Sequence, residues 1–354
     1  MSSINSPEHF FENALKTTYS VFDRSNICPD KNILLAGLNV RIKFAGQALI
    51  PIILPAIAHL IQDEENLVID YTIFIWDSTT NQTPLPTFNG SINDIKLRGE
   101  IAGYNNNRYQ AAYFTHARML SLLDMEDKIG VICLADLKEM PSFEIACPLR
   151  SLFSWIIRKH GRSIIHAGAV GSGNGAVLIG GQSGSGKSST SLRCLLAGLD
   201  YLGDDLTAIS LNEDIPIVYS LYSSGKTHNR DLETFSEFKN IALHKKDAYS
   251  SKEIYLLYPH YKNQLTLQKE IKAVLIPDLS GGTELKFSKI SLASVLSIMC
   301  SSTKELLPDT GNEIFFTLAS ILHKVPCYRF YLGADPAAIP KAIQRIINNP
   351  FQKN

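Results

Sequence analysis

The 354-residue chain has no excess of charge of either sign, no apolar run long enough to cross a bilayer, and no cysteines spaced to share a metal. Its 34 Lys and Arg are matched by 34 Asp and Glu. A general nucleic-acid binder carries a basic excess that releases counterions from phosphates, and a disordered chain combines low hydrophobicity with high net charge. With 45% hydrophobic residues this chain is neither, and no nucleic-acid partner is expected. The longest apolar run, Ala48 to Leu60, is broken by Pro51 and Pro55. It falls short of the ~20 residues of a spanning helix, so it reads as buried core and no membrane partner is expected. Cys28, Cys133, Cys147, Cys194, Cys300 and Cys327 include no Cys-x-x-Cys pair, which suits a reduced, cytoplasmic protein. The polar, acid-bearing stretch Met1 to Lys16 has the pattern of no targeting peptide.

What is present is an uneven distribution. Residues 1–144 hold 11 basic and 17 acidic side chains, and the remainder holds 23 basic and 17 acidic. The length favours two domains, and the change of texture near Pro148 divides the chain into 1–144 and 145–354.

In the first part, residues 31–44 alternate around Gly37 as two short strands or one bent one, Ile69 to Trp76 is β-rich, and Gly130 to Leu134 is a short buried strand. The apolar spacing of Tyr109 to Leu123 predicts a helix. This part reads as a mixed α+β domain without recognisable chemistry.

The second part starts with a helix over Leu149 to His160. Ser163 to Val170 and Ala176 to Gly180 follow as strands joined by a glycine-rich turn, which predicts a hairpin. A glycine-rich loop, a helix from Gly186 to about Ala197, and a strand pair at Tyr201 to Leu211 and Ile215 to Tyr219 come next. The tail alternates strand and helix, ending with a helix over Pro336 to Asn348.

The sharpest chemical signal is Gly181-Gln182-Ser183-Gly184-Ser185-Gly186-Lys187-Ser188. It matches the phosphate-loop pattern G-x-x-x-x-G-K-[ST], with a strand before it and a helix after it. Glycines let the loop N–H groups turn inward around phosphate oxygens, and the helix N-terminus adds partial positive charge. Lys187 suits the β- and γ-phosphates, and the Ser188 hydroxyl suits Mg²⁺. Asp204 and Asp205 follow 17 and 18 residues after Lys187. A helix and a turn use up that interval, which brings the pair back beside the loop at the start of the next strand. One carboxylate would hold Mg²⁺, and the other would accept the proton of an attacking hydroxyl. His166, in the hairpin strand feeding the loop, is a third candidate.

Two other patterns mislead. Gly171-Ser-Gly173-Asn-Gly175-Ala176 fits a loose dinucleotide pattern but precedes a strand, so no helix dipole would meet a pyrophosphate. Leu279-Ser-Gly-Gly282 reads as a turn. The polar stretch Ser223 to Lys252 reads as a substrate lid or a surface segment, with Lys226 and Arg230 as candidates to neutralise a transferred phosphate.

Taken together, His166-Ala-Gly, the AVLIGGQSGSGKSS run, the helix ending at Ala197-Gly198 and then Leu202-Gly-Asp204-Asp205 resemble the catalytic core of the HPr kinase/phosphorylase family. The broader group includes serine kinases that modify lasso peptides. The resemblance covers about residues 145–211 and becomes diffuse toward the C-terminus. It implies an α/β fold related to phosphoenolpyruvate carboxykinase, with a mixed sheet, and a kinase acting on a serine hydroxyl of a peptide, protein or small molecule. Carried over by position, Gly181, Ser183, Gly184, Ser185, Gly186, Lys187, Ser188 and Ser189 would bind nucleotide phosphates. Ser188 and Asp205 would hold Mg²⁺, Asp204 would be the general base, and His166 would sit at the phosphoryl site. Related enzymes form hexamers, so a homo-oligomer is implied. Ser189 stands where bifunctional members carry an acid, and their signature loop is missing, so the reverse reaction is not implied. ATP, ADP or pyrophosphate would each suit the loop as donor. A small-metabolite kinase, or a regulatory protein that binds ATP without catalysis, remains the alternative.

Overall fold

The computed structural model describes residues 6–173, 175–228, 231–243, 251–280, 282–307 and 312–350. The fold is mixed α/β and divides into two compact units. One comprises Met1–Pro55, Leu60–Ile156 and Leu307–Asp309; the other comprises Ala56–His59, Ile157–Leu306 and Thr310–Asn354.

The first unit opens with helix α1 (Pro7–Arg24), in the polar N-terminal stretch where no element was expected. Its local signals are plain once seen. The Ser6 side chain accepts from the His9 amide at 3.1 Å, proline occupies the first turn, Glu8 lies near the positive end and Arg24 near the negative end. Strands β1 (Asp30–Leu35) and β2 (Leu38–Phe44) pair as an antiparallel hairpin around Gly37, so the alternating stretch is two short strands and not one bent one. The apolar run passes through short helical turns, including α2 (Ile50–Ile53), that bury Leu49, Ile53, Leu54, Ala56, Ile57 and Leu60 but leave Ala48 and Pro51 exposed, and it leads to β3 (Ile61–Gln62). Next come β4 (Tyr71–Asp77) and α3 (Ser78–Asn81).

Tyr109 to Leu123 is not a helix. It is an antiparallel hairpin of β5 (Tyr109–Phe114) and β6 (Met119–Asp124), turning through Arg118 at φ 44°. Nearly every residue of both strands is buried, so the polar–apolar alternation that marks a half-exposed strand is absent. With β7 (Ile129–Leu134) these strands complete a seven-stranded mixed sheet of order β3-β1-β2-β4-β7-β6-β5. Helix α1 lays Phe10, Phe11, Ala14 and Val21 against Leu120, Leu122, Val131 and Cys133. Trp76 Nε1 donates to Thr18 Oγ1 at 3.1 Å within that core. Helices α4 (Ser142–Ala146) and α5 (Arg150–Lys159) follow, and the division between units falls within α5.

The second unit is built on β8 (Ser163–Ser172) and β9 (Gly175–Gly180), the expected antiparallel hairpin. Helix α6 (Lys187–Leu196) follows, then β10 (Asp200–Gly203), β11 (Leu206–Asn212) and β12 (Ile215–Ser220). Strands β13 (Ser224–His228) and β14 (Lys252–Leu256) pair as a separate ribbon. The chain continues with β15 (Gln268–Asp278), β16 (Lys286–Lys289), α7 (Leu292–Lys304), α8 (Glu313–Lys324), β17 (Cys327–Tyr331) and α9 (Ala338–Asn348).

Pairings close a ring from β8 through β11, β12, β15 and β9 back to β8. Alternate residues of β9 face opposite layers, as the pleat requires. Ala176 and Leu178 pack with Val295, Met299 and Leu318 of α7 and α8. Val177 and Ile179 pack with Cys194 of α6 and Ile343 of α9. The parallel strands β9, β15 and β17 therefore end on one side of the sheet, where β9 feeds the glycine-rich loop.

Candidate active site

The loop between β9 and α6 has the backbone its sequence demands. Gly184 and Gly186 hold φ of 82° and 99°, values that side-chain-bearing residues rarely adopt. The Ser185 hydroxyl is buried in the loop without a hydrogen-bond partner among the described residues. Lys187 is only 5% exposed, and its ammonium donates to the carbonyls of Gly181 at 2.7 Å and Gln182 at 2.9 Å. Burial lowers its pKa to about 8, with Lys252 acting the same way and the aspartates opposing.

Asp204 and Asp205 do not start a strand. They occupy the bend between β10 and β11, where the pairing of β10 with β8 shifts register. The bend is brought close by Gly168, two residues beyond His166 on β8. A Cβ at Gly168 would lie 2.5 Å from Ser191 Oγ, 3.2 Å from Gly203 O and 3.3 Å from Asp204 Cα. The His-Ala-Gly run thus has a physical reason: the histidine and the absent side chain lie on the same face of the strand, and the absence admits the Asp204 backbone.

The two carboxylates have different surroundings. Asp204 is 2% exposed and accepts the Lys226 amide at Oδ2 at 2.9 Å. Burial and the neighbouring Asp205 charge raise its pKa against the pull of Lys226 and Ser188. Asp205 faces the cleft. Its Oδ1 lies 3.1 Å from His166 Nε2, and its Oδ2 accepts from the Lys226 ammonium at 2.6 Å. Burial works to raise this carboxyl too, but Lys226 and His166 outweigh it and hold it well below the ordinary carboxylate value. The His166 backbone amide is fixed by Thr303 Oγ1 at 2.9 Å, and its Nδ1 is buried without a partner among the described residues.

These groups surround a cleft of about 280 Å³ within the second unit. His166, Ser183, Gly184, Gly186, Lys187, Ser188, Ser189 and Asp205 line it; Gly181, Ser185 and Asp204 are not among its lining residues. Lys226 stands on the ribbon and bridges the pair through its amide and its ammonium. Ser223 to Lys252 is accordingly the ribbon strand β13, a 3-10 segment over Glu233–Ile241 and the start of β14, so far as it is described. Arg230 lies outside the described residues. Arg193 of α6 and Lys252 of β14 also line the cleft. Neither was singled out in the sequence, although Arg193 lies on the helix that follows the loop and Lys252 closes the polar stretch read as a lid or surface segment.

The residues fit the groups that the sequence implies. The glycine-rich turn with a buried, unpartnered hydroxyl and a buried lysine suits phosphate oxygens. Two carboxylates and a hydroxyl are hard oxygen donors, a set that suits Mg²⁺ held jointly by protein, phosphates and water.

No protein-family model and no curated protein matches the chain. Among solved structures, the HPr(Ser) kinase/phosphatase from Coxiella burnetii shares 12% identity with it. That likeness covers 53% of this chain and 95% of the other, with a TM-score of 0.28. A likeness that loose carries no argument, and the site stands on its own residues. Among the described residues no helix is long and apolar enough to cross a membrane.

Proposed function

We propose that this chain is a Mg²⁺- and nucleotide-dependent phosphotransferase that moves a phosphoryl group to a serine-type hydroxyl of a peptide, protein or small molecule. One observation carries the reading: the paired-aspartate bend stands at the phosphate loop, with Asp205 lining the same cleft as Lys187 and Ser188 and Asp204 beside it on the Lys226 amide. A phosphate-binding loop needs no second carboxylate merely to retain a nucleotide; a transferring enzyme needs one for metal and one for the proton.

In this reading Gly181 to Ser189 and Lys187 bind the donor phosphates. Asp205, kept ionised by its neighbours, joins Ser188 in holding the metal. A bound Mg²⁺ would offset charge on the transferring group. Asp204, with its raised proton affinity, accepts the hydroxyl proton, and His166 orients the phosphoryl site. Transfer through a loose transition state then rests mainly on positioning and charge.

A second allotment draws support from Asp205 lining the cleft beside His166, whereas Asp204 is not among the lining residues. There Ser188 and Asp204 hold the metal, and Asp205 with His166 takes the proton. The two separate by metal titration: the metal ligand's Asn variant raises the Mg²⁺ requirement, and the base's Asn variant leaves it unchanged.

The reading as a whole is tested by incubating the protein with γ-labelled ATP, Mg²⁺ and pooled serine-containing peptides or hydroxylated metabolites. Label transferred to an acceptor, and lost in Lys187→Ala, supports it. Tight nucleotide binding with no acceptor-dependent transfer in any pool would favour a non-catalytic nucleotide sensor.

A further inference from the structure

The lining of the cleft is of two chemical kinds. One set is polar and mostly basic: Arg193 of α6, Lys226, Thr227 and His228 of β13, Asp231, and Lys252 of β14. The other is apolar: Leu279 after β15, Leu332 and Gly333 after β17, Pro336 just before α9 and Ile339 in its first turn. The apolar set adjoins the phosphate loop directly. A Cβ at Gly186 would lie 2.9 Å from Leu332 Cδ1 and 3.9 Å from Leu279 Cδ2. Leu279 is a large apolar side chain left 68% exposed at the lip of the cleft.

Neither a phosphate nor a metal has any use for such a surface. A flat, weakly polar ring system does, since burying apolar area against it is favourable. The parallel order β9, β15, β17 explains the juxtaposition, because all three strands end at the same edge: the first delivers the phosphate loop, the second Leu279 and the third Leu332.

We propose that Leu279, Leu332, Pro336 and Ile339 form a shelf for the base of a nucleotide, so that the phosphoryl donor is a nucleoside triphosphate and not pyrophosphate. The proposal rests on reading the loop as a phosphate site, and it adds the feature that the phosphate loop by itself leaves open. The Leu-Ser-Gly-Gly turn, otherwise unremarkable, thereby supplies one face of the donor site.

The test is calorimetric titration of the full chain with Mg-ATP and Mg-tripolyphosphate. The wild type, Leu279→Ser, Leu279→Phe and Lys187→Ala are compared. Leu279 is exposed, so its replacements should fold. The wild type should bind ATP about tenfold or more tightly than tripolyphosphate, and Leu279→Ser should lose about tenfold in ATP affinity. Tripolyphosphate affinity should be unchanged by Leu279→Ser, and Leu279→Phe should retain ATP binding. Equal wild-type affinity for the two ligands, or ATP affinity untouched by Leu279→Ser, overturns the shelf while leaving the phosphate site intact. If the wild type binds neither ligand, or Lys187→Ala binds both normally, the phosphate-site reading fails and the shelf proposal falls with it.

Discussion

Lys226 holds Asp205 by its ammonium at 2.6 Å, while its own backbone amide, 2.9 Å from Asp204 Oδ2, holds the other member of the pair. One residue on a separate ribbon therefore touches both carboxylates; it helps to hold the Asp205 pKa down and opposes the burial that raises that of Asp204. The side chains of Lys226 and Asp205 are only 9% and 20% exposed, so the pair is poorly screened. Lys226→Ala deletes the ammonium but keeps the amide. It should raise the Asp205 pKa and leave Asp204 hydrogen-bonded. A double-mutant cycle with Asp205→Asn, read by chemical denaturation, should give a coupling on the order of 2 kcal/mol. Additive effects would mean that the pair contributes nothing to folding.

In the proposed function, burial of Lys187 sets the pH dependence of phosphate binding. Lys187 titrates near 8 in the free protein, so its ammonium is present at neutral pH and lost above that value. Tripolyphosphate affinity should be nearly flat below pH 7 and fall about tenfold per unit above 8, with proton uptake on binding. The contribution to folding runs the other way. Between about 8 and the ordinary 10.5 the unfolded chain binds the extra proton, so stability from this group rises with pH across that window. Calorimetry in buffers of different ionisation enthalpy reads the proton uptake, and a flat affinity from pH 7 to 9.5 would remove Lys187 from the phosphate contact.

Gly168 is predicted to matter through space alone. Alanine there meets the Ser191 hydroxyl, which can turn away, and the backbone at Gly203 and Asp204, which cannot easily do so. Gly168→Ala should cost about 1–3 kcal/mol in stability and displace the aspartate bend. Nucleotide affinity, carried by the loop, should change by about threefold or less while transfer falls about tenfold or more. Equal losses in affinity and transfer would show that the substitution disturbs the loop as well.

Local chemistry was legible where it is written in short runs. The strand–glycine loop–helix unit, the β8–β9 hairpin and the return of the aspartates beside the loop all follow from glycine positions and element lengths. The exact seat of the aspartates did not, because a register shift at Gly203 ends β10 early and turns the expected strand start into a bend. Tyr109 to Leu123 misled because its strands are buried on both faces and its turn, Thr115 to Arg118, contains neither glycine nor asparagine. The Lys226 contacts and the Leu279–Leu332 shelf were illegible for a different reason. They join segments whose separation is set by the sheet order, which no local pattern encodes.

The proton-accepting role of Asp204 is the centre of the account, and single-turnover transfer from pre-bound, γ-labelled nucleotide to an identified acceptor tests it most directly. Asp204→Asn removes a buried carboxyl that burial already drives toward neutrality, so the variant should fold and melt at or above the wild-type temperature. Its nucleotide affinity should stay within about threefold of wild type, and its transfer rate should fall by about 10³ or more. A transfer rate in Asp204→Asn equal to that of the wild type would contradict the account.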